Sequence, residues 1–427
     1  DKYALFVERS LTLVLDDGRL GFIIPHKFMT IQVGRALRRL LTDNSLLEDV
    51  VHFGAQQVFG KRAANYTCLL ILDKQGPETV SVEHVEALDA WRYGALGVRQ
   101  DIPTGELTGE PWQFANAATR ELFERVRAAC GRELGEAAEI CVGVQTSKDL
   151  VYIFRSDVET SNTVTLNWNG REWPIERSIL RPCLHDATLH PYTRAEANAW
   201  MIFPYEIVQG GRTVASLIQP DRMAQDFPVC FEYLTARRAE LEDRNIQGGQ
   251  VAERQFYQFG RSQSITKFDS PKIILPVLSL AARYAFDDAN IIFTGGGNGP
   301  YYLIRPGEGV AETNYFLMAV LHHPLCEAMI RTHTSPFHGG YYSHGKQFIE
   351  HLPIPNATQP QRDEIEALVG EMIVANDSAR VARRPHQKTL HERNAAALQA
   401  QVQDKVSKLF GLSPQDMILA KAVPVPA

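Results

Sequence analysis

A chain of 427 residues has room for two or three domains at ~150 residues each. With 44% hydrophobic and 22% charged residues it has the balance of an ordinary globular protein, and it has no apolar run near the ~20 residues that span a bilayer. The formal charge of -6 excludes a uniformly basic nucleic-acid binder but allows a local basic cleft. No basic region leads into an apolar stretch and a small-residue cleavage site, so the expected location is cytoplasmic. Cys68, Cys130, Cys141, Cys183, Cys230 and Cys326 form no C-x-x-C pair. They read as reduced, buried thiols, with no metal expected.

The chain opens on helical spacing. Leu5, Phe6, Leu11, Val14 and Leu15 recur at three- and four-residue steps and predict a helix over Lys2–Leu15. It begins with no cap ahead of it, so the chain is expected to be part of a longer one. A Gly-containing turn leads to a strand, Leu20–Ile24, stopped by Pro25. In the helix "VGRALRRLLTDN", Ala36, Leu37, Leu40 and Leu41 take one side and Arg35, Arg38 and Arg39 largely the other. Strands follow at "LEDVVHF" and Tyr66–Leu72. This alternation predicts an α/β sheet with parallel elements, and the apolar runs "GFII" and "CLLIL" fit a sheet covered on both faces. Residues 76–134 read as the end of this domain and a connector, with the amphipathic helix "ATRELFERVRAAC".

From about Glu136 to Pro355, short apolar runs are split by Gly, Pro, Asn and Asp: "VYIF", "TVTLNW", "WMIFPY", "KIILPVL", "NIIFT" and "PYYLI". With two helices between them, they predict an α+β domain. Beyond "LPIPN" the chain is helical and charged.

Three stretches invite a chemical reading. "TGGGNGPYY" (Thr294–Tyr302) lacks the Lys-Ser/Thr of a P-loop and precedes a strand, so it reads as a turn or as a loop approaching a macromolecule. Arg254–Lys272 interleaves Arg254, Arg261, Lys267 and Lys272 with Phe256, Tyr257, Phe259 and Phe268. That mixture suits phosphate and base contacts, or a solvated loop with its aromatics in the core. Arg331–Gln347 holds His333, His338 and His344 with no carboxylate or cysteine among them, so a groove-facing loop is expected rather than a metal site. No G-x-S-x-G, H-E-x-x-H or P-loop occurs.

Phe6-Val7-Glu8-Arg9, Gly18 to Pro25 and Leu37 to Leu41, in that order, resemble the second half of the catalytic domain of gamma-class DNA adenine N6-methyltransferases. "QVFGKRAANYTCLLIL" is similar to that family's following base-side motif. "GVQTSKDLVYIF", "ILRPCLHDATLHPY", "WMIFPY", "SPKIILP" and "SHGKQFIEHLPIP" resemble a TaqI-like target-recognition domain. The resemblance covers roughly 290 residues; the helical tail fits it loosely. It implies an α/β fold class: the C-terminal part of a Rossmann-like S-adenosylmethionine-dependent methyltransferase sheet over 1–135, an α+β recognition domain over 136–355 and a helical region over 356–427.

The resemblance also implies the chemistry. The cofactor is S-adenosylmethionine, and the partners are double-stranded DNA and subunits of a restriction or defence system, with no membrane. Phe6 and Pro25 are the expected cofactor-side residues; Asn65 and Tyr66 fall in the target-base pocket, Tyr66 reading equally as an inward strand residue. Gln145, Ser147, Lys148, Arg261, Lys267, Tyr341, Tyr342, His344 and Lys346 are the expected DNA contacts. The family's Gly-rich cofactor turn and its Asn/Asp-Pro-Pro-Tyr/Phe motif occur nowhere in the chain. Both are expected upstream of Asp1, so no catalytic residue is assigned and the chain alone is expected to be inactive. Two other classes compete: a non-catalytic DNA-recognition subunit, and a β-rich domain binding another polymer such as a glycan.

Overall fold

The computed structural model describes residues 1–423 apart from 55, 57, 60–65, 86, 113–116, 209–212, 245, 247–254, 262–263, 296–298 and 335–339. Helix α1 (Lys2–Leu11) stops four residues short of the predicted end, where Thr12 turns its N–H back to Arg9 and Ser10. It buries Val7, and Leu5 and Phe6 point away from the core, both about two-thirds exposed. Strand β1 (Arg19–Pro25), helix α2 (Arg35–Asp43) and strands β2 (Leu47–His52), β3 (Thr67–Asp73), β4 (Thr79–His84) and β5 (Val98–Pro103) follow.

These strands form one sheet in the order β1-β3-β2-β4-β5. β3 runs antiparallel to both β1 and β2, so β1 and β2 point the same way. β4 is parallel to β2, and β5 antiparallel to β4. The sheet is therefore mixed: the parallel elements expected from the alternation of strands and helices are present in the β2–β4 pair, and the other pairs are antiparallel. The run "CLLIL" is the interior strand β3, with Leu70 and Leu72 fully enclosed. The run "GFII" lies on β1, a terminal strand among the described residues, and Ile23 is 41% exposed. A continuous apolar run cannot by itself tell an interior strand from a sheet end.

A second sheet, order Ala285–Asp287, Lys272–Pro276, Tyr301–Pro306 and Ala138–Val142, is antiparallel throughout. Its alternate residues enter different cores. Ile273, Leu275, Tyr302 and Ile304 face helices; Ile274, Tyr301 and Leu303 face the other strands and the Pro228–Ala236 helix. A sheet covered on both faces needs apolar residues on both sides of each strand, which the "IIL" of "KIILP" supplies; Lys272 ahead of it is buried in an ion pair with Asp287. On the helical side, Asn314–Leu321 is enclosed from Phe316 to Leu321, and Pro324–His333, Gln359–Val381 and Pro385–Leu409 pack beside it. The predicted tail therefore shares a core with the second sheet. So do Leu122, Phe123, Val126 and Cys130 of the Ala117–Cys130 helix, which the expected boundary at 135 assigns to the first domain.

On the other side, strands Ile292–Phe293, Leu180–Leu184, Ala199–Ile202 and Ile153–Phe154 form a third sheet. "VYIF", expected as a strand, is divided: Val151 and Tyr152 close the short helix Asp149–Tyr152, and Ile153–Phe154 is the strand. All six cysteines are free, and none is exposed. No helix among the described residues is long and apolar enough to cross a membrane.

Candidate functional site

Two edges of the molecule gather the polar groups that the sequence singles out. The first is the end of the first sheet where β1, β2 and β4 finish and β3 starts. Pro25 is in register with Thr67, and the His26 N–H donates to the Tyr66 carbonyl at 3.1 Å. His52 and His84 end β2 and β4 side by side. The rings of Tyr66, His26, His52 and His84 form a column, with successive centroids 6.1, 4.4 and 5.0 Å apart.

Burial lowers the pKa of all three imidazoles. His26 falls to about 4, mainly by loss of solvent and then by the nearby His84. His52 lies well below its usual value, for the same first reason and then through His26 and His84, and His84 is lowered by burial. The column is therefore neutral at pH 7 and can stack without mutual repulsion. His52 Nδ1 accepts the Gly54 N–H at 3.0 Å, as a neutral ring can.

The turn that follows Pro25 is clamped from behind. Arg38, expected on the outer side of α2, is fully buried. Its guanidinium donates to the carbonyls of Phe28, Ile31 (2.8 Å) and Gly109 (3.0 Å). α2 can approach this closely because Gly34 precedes it: a Cβ there would lie 2.0 Å from the Phe28 carbonyl oxygen. The charged face that period 3.6 assigns to solvent is thus partly turned inward, because two carbonyls of the preceding turn and one of the distant Gly109 need a donor. Of the residues that the resemblance places here, Pro25 and Tyr66 do come together. Phe6 lies on the exposed side of α1, and Asn65 lies outside the described residues.

The second edge joins segments more than a hundred residues apart. The Arg261 N–H donates to the Gln145 carbonyl at 3.1 Å, and the Gly260 N–H to the Thr146 carbonyl at 3.2 Å. Gly260 permits the contact: a Cβ there would lie 1.9 Å from Ser147 Oγ. The Gly295 N–H donates to the Val144 carbonyl at 3.0 Å, which brings the start of the glycine-rich stretch to the same place. Lys148 and Arg261 have no ion-pair partner among the described residues, and Arg261 and Ser147 are exposed. Arg244 braces the assembly, donating to the carbonyls of Thr146, Phe256 (2.7 Å) and Gln258 (2.9 Å). No motif or local spacing marks Arg244, His52 or His84 as a site residue. The two histidines carry one signal: each closes an apolar or alternating run, "DVVH" and "VSVEH".

Several expected DNA contacts are elsewhere. Lys267 is paired with Glu139 at 3.0 Å, which Arg305 also engages at 2.7 Å, so its charge is spent inside the protein. Tyr342 and His344 are fully buried; Tyr284 Oη sits 2.6 Å from His344 Nδ1, and Arg331 Nε donates to Tyr342 Oη at 3.4 Å. Burial lifts the neighbouring Glu327 to about 7, against the opposing pull of Arg331. Tyr341 is 44% exposed, and Lys346 reaches Glu350 at 4.0 Å. Tyr257, Phe259 and Phe268 are core residues, so the aromatics between the basic residues mostly face inward. Arg254 and His338 lie outside the described residues, and His333 bonds the Met329 carbonyl and Arg127. Among the described residues no cluster of His, Cys, Asp or Glu could hold a metal ion.

Comparison with known proteins points to restriction–modification enzymes. A family described as Eco57I restriction-modification methylase matches residues 1–59, the segment carrying α1, β1, α2 and β2. The type II restriction enzyme and methyltransferase RM.Eco57I of Escherichia coli is 27% identical over 380 residues, covering 86% of this chain and 38% of its own length. The type II methyltransferase M.XhoI of Xanthomonas vasicola is 22% identical over 404 residues, covering 88% of this chain and 67% of its own. The chain thus spans well under half of the first relative. The solved type IIL restriction-modification enzyme MmeI, in complex with DNA, superposes on 99% of this chain and 50% of its own, with a TM-score of 0.58 at 13% identity. The two share a fold.

Proposed function

We propose that this chain forms the wall of the target-base cleft and the reading head of a site-specific DNA adenine N6-methyltransferase from a restriction–modification or related defence system. The observation that carries the reading is the meeting of Pro25, His26 and Tyr66 at one sheet edge, beside the segment that matches a restriction-modification methylase. The adenine N6 amine is a poor nucleophile because its lone pair is delocalised into the ring. An enzyme that methylates it must extrude the base, hold its amino hydrogens and align the nitrogen with the methyl donor. S-adenosylmethionine supplies an electrophilic methyl on sulfur.

The residues present fit one wall of that arrangement. Phe6 offers a ring that neither the sheet nor the helices cover. Pro25 and Tyr66 flank the cleft, and the neutral histidine column behind them adds no charge that would have to be desolvated with the base. The groups that would hold the amino hydrogens and the methionine end of the cofactor belong to motifs absent from the 427 residues. The reading head is the Gln145–Lys148 and Gly260–Arg261 edge, where Gln suits adenine and Lys or Arg suits guanine or phosphate.

The test is to incubate DNA with the full-length parent protein and S-adenosylmethionine, then digest to nucleosides. N6-methyladenine is the expected product; methylcytosine instead, or no methylation, contradicts the assignment. Tyr66→Ala should lower kcat/KM by about 5- to 150-fold, the worth of a base–aromatic contact of ~1–3 kcal/mol. The absence of the two motifs favours a second reading, a DNA-recognition subunit without catalysis. It predicts duplex binding with no S-adenosylmethionine binding by calorimetry.

A further inference from the structure

The helices Gln359–Val381 and Pro385–Leu409 form a hairpin joined by residues 382–384. Residues 380–393 read RVARRPHQKTLHER. Arg380, Arg383, Arg384, Lys388 and Arg393 face a lone acid, Glu392, giving this stretch a formal charge of +4 (five cations less one acid) in a chain whose total is -6. All five cations are exposed. Arg380 is paired with Glu196 at 2.7 Å, and Lys388 reaches Glu392 at 4.0 Å. Arg383, Arg384 and Arg393 enter no ion pair among the described residues. The buried stripe of the second helix begins at Ala395, so its first ten residues bury no side chain in the core.

This pattern departs from the rest of the surface. Elsewhere many exposed arginines are matched with carboxylates, as Arg222 is by Glu206 and Asp226 and Arg99 by Glu83. Exposed arginines outside any ion pair among the described residues, such as Arg9, Arg155 and Arg261, are far apart in the sequence rather than grouped as at the hairpin. A solvated charged face carries both signs, and this acidic chain has carboxylates to spare. Like charges held on one turn repel, and an anionic partner relieves that repulsion. From Arg384 to Arg393 the helix advances about 14 Å, the rise of about four nucleotides of one DNA strand. We propose that this basic hairpin tip is a second DNA contact, gripping duplex phosphates outside the reading edge and independently of sequence. The inference rests on the DNA-directed function proposed above.

The test uses the whole chain and duplex DNA, with affinity measured over a salt series. The variant carries Arg383→Gln, Arg384→Gln and Arg393→Gln together. The slope of log affinity against log salt should fall by about two to three, at ~0.9 for each phosphate no longer neutralised. Affinity should fall alike for every sequence, with sequence discrimination retained. Arg222→Gln, at an exposed but ion-paired position, should leave the slope unchanged, and circular dichroism should show all proteins equally folded. If wild type binds duplex DNA and the triple variant keeps its salt slope, the hairpin contact is wrong and the proposed function stands. If the variant instead loses only an acidic protein partner, the DNA assignment of the hairpin is likewise wrong. If wild type binds no duplex at any salt, both fail.

Discussion

Two arginines hold the two candidate edges, and they differ in what holds them. Arg38 lies fully inside the first unit and ties Phe28, Ile31 and Gly109 by their carbonyls. Arg244 is half-buried and ties Thr146, Phe256 and Gln258. Both convert flexible loop backbone into fixed geometry through a planar fork of donors. The difference is where the cost of removal falls. Without Arg38, buried carbonyls lose their donor where water cannot replace it, so the loss appears in folding. Without Arg244, solvent can partly take over, so the loss appears in how well the loops hold their shape.

The sharpest way to break that comparison is Arg38→Met. Stranding two or three buried carbonyls at ~1–3 kcal/mol each should cost about 3 kcal/mol or more, read as a lower urea midpoint. A loss below about 1 kcal/mol would mean that the clamp is decorative.

The next effect comes from pH. The folded pKa of His26, about 4, lies below its unfolded value of 6.5, so the unfolded chain binds more protons between those values. Stability is therefore full above pH 6.5 and lost as pH falls toward 4, roughly 3 kcal/mol from His26 at ~1.4 kcal/mol per unit. His322, His323 and His333, also near 4, act with the same sign in the helical core. Glu327 has the opposite sign. Raised to about 7, it contributes stability that is full below 4.5 and lost as pH rises through 7. Thermal melts from pH 4 to 8 should show both arms; His26→Phe should make the acid arm shallower, leaving the share of the other histidines, and Glu327→Gln should flatten the alkaline one.

Arg244→Leu comes third. It should cost little stability but reduce discrimination between cognate and non-cognate DNA by ~1–3 kcal/mol, measured by competition binding. The smallest effects belong to single cations at the reading edge. Arg261→Gln or Lys148→Gln should each lower the salt slope by about one, and Lys267→Gln, already paired with Glu139, should leave it unchanged.

Local pattern is legible in the sequence; long-range partnership is not. Helical spacing locates α2 and the helices of the C-terminal hairpin, and "KIILPVL" announces a strand. Yet the same spacing puts Arg38 in solvent, because the carbonyls that draw it inward belong to loops that no helical period encodes. Lys267 reads as a DNA contact because Glu139, 128 residues earlier, is invisible from the local stretch. Tyr341 and Tyr342 look alike in the sequence, although strand alternation turns one out and the other in. Arg261 stands more than a hundred residues from Gln145, Ser147 and Lys148, and the structure makes them one edge. For the candidate site, the resemblance names Pro25 and Tyr66, and the fold adds the histidine column that stands behind them.

The most direct measurement is base-resolved mapping of methylation in DNA treated with the proposed methyltransferase as the parent and with its Arg244→Leu variant. The expected result is N6-methyladenine confined to one sequence for the parent, and N6-methyladenine spread over related sequences for the variant. Methylation on cytosine, or a variant whose sequence preference matches the parent's, would contradict the division between a base-side wall and a separate reading edge.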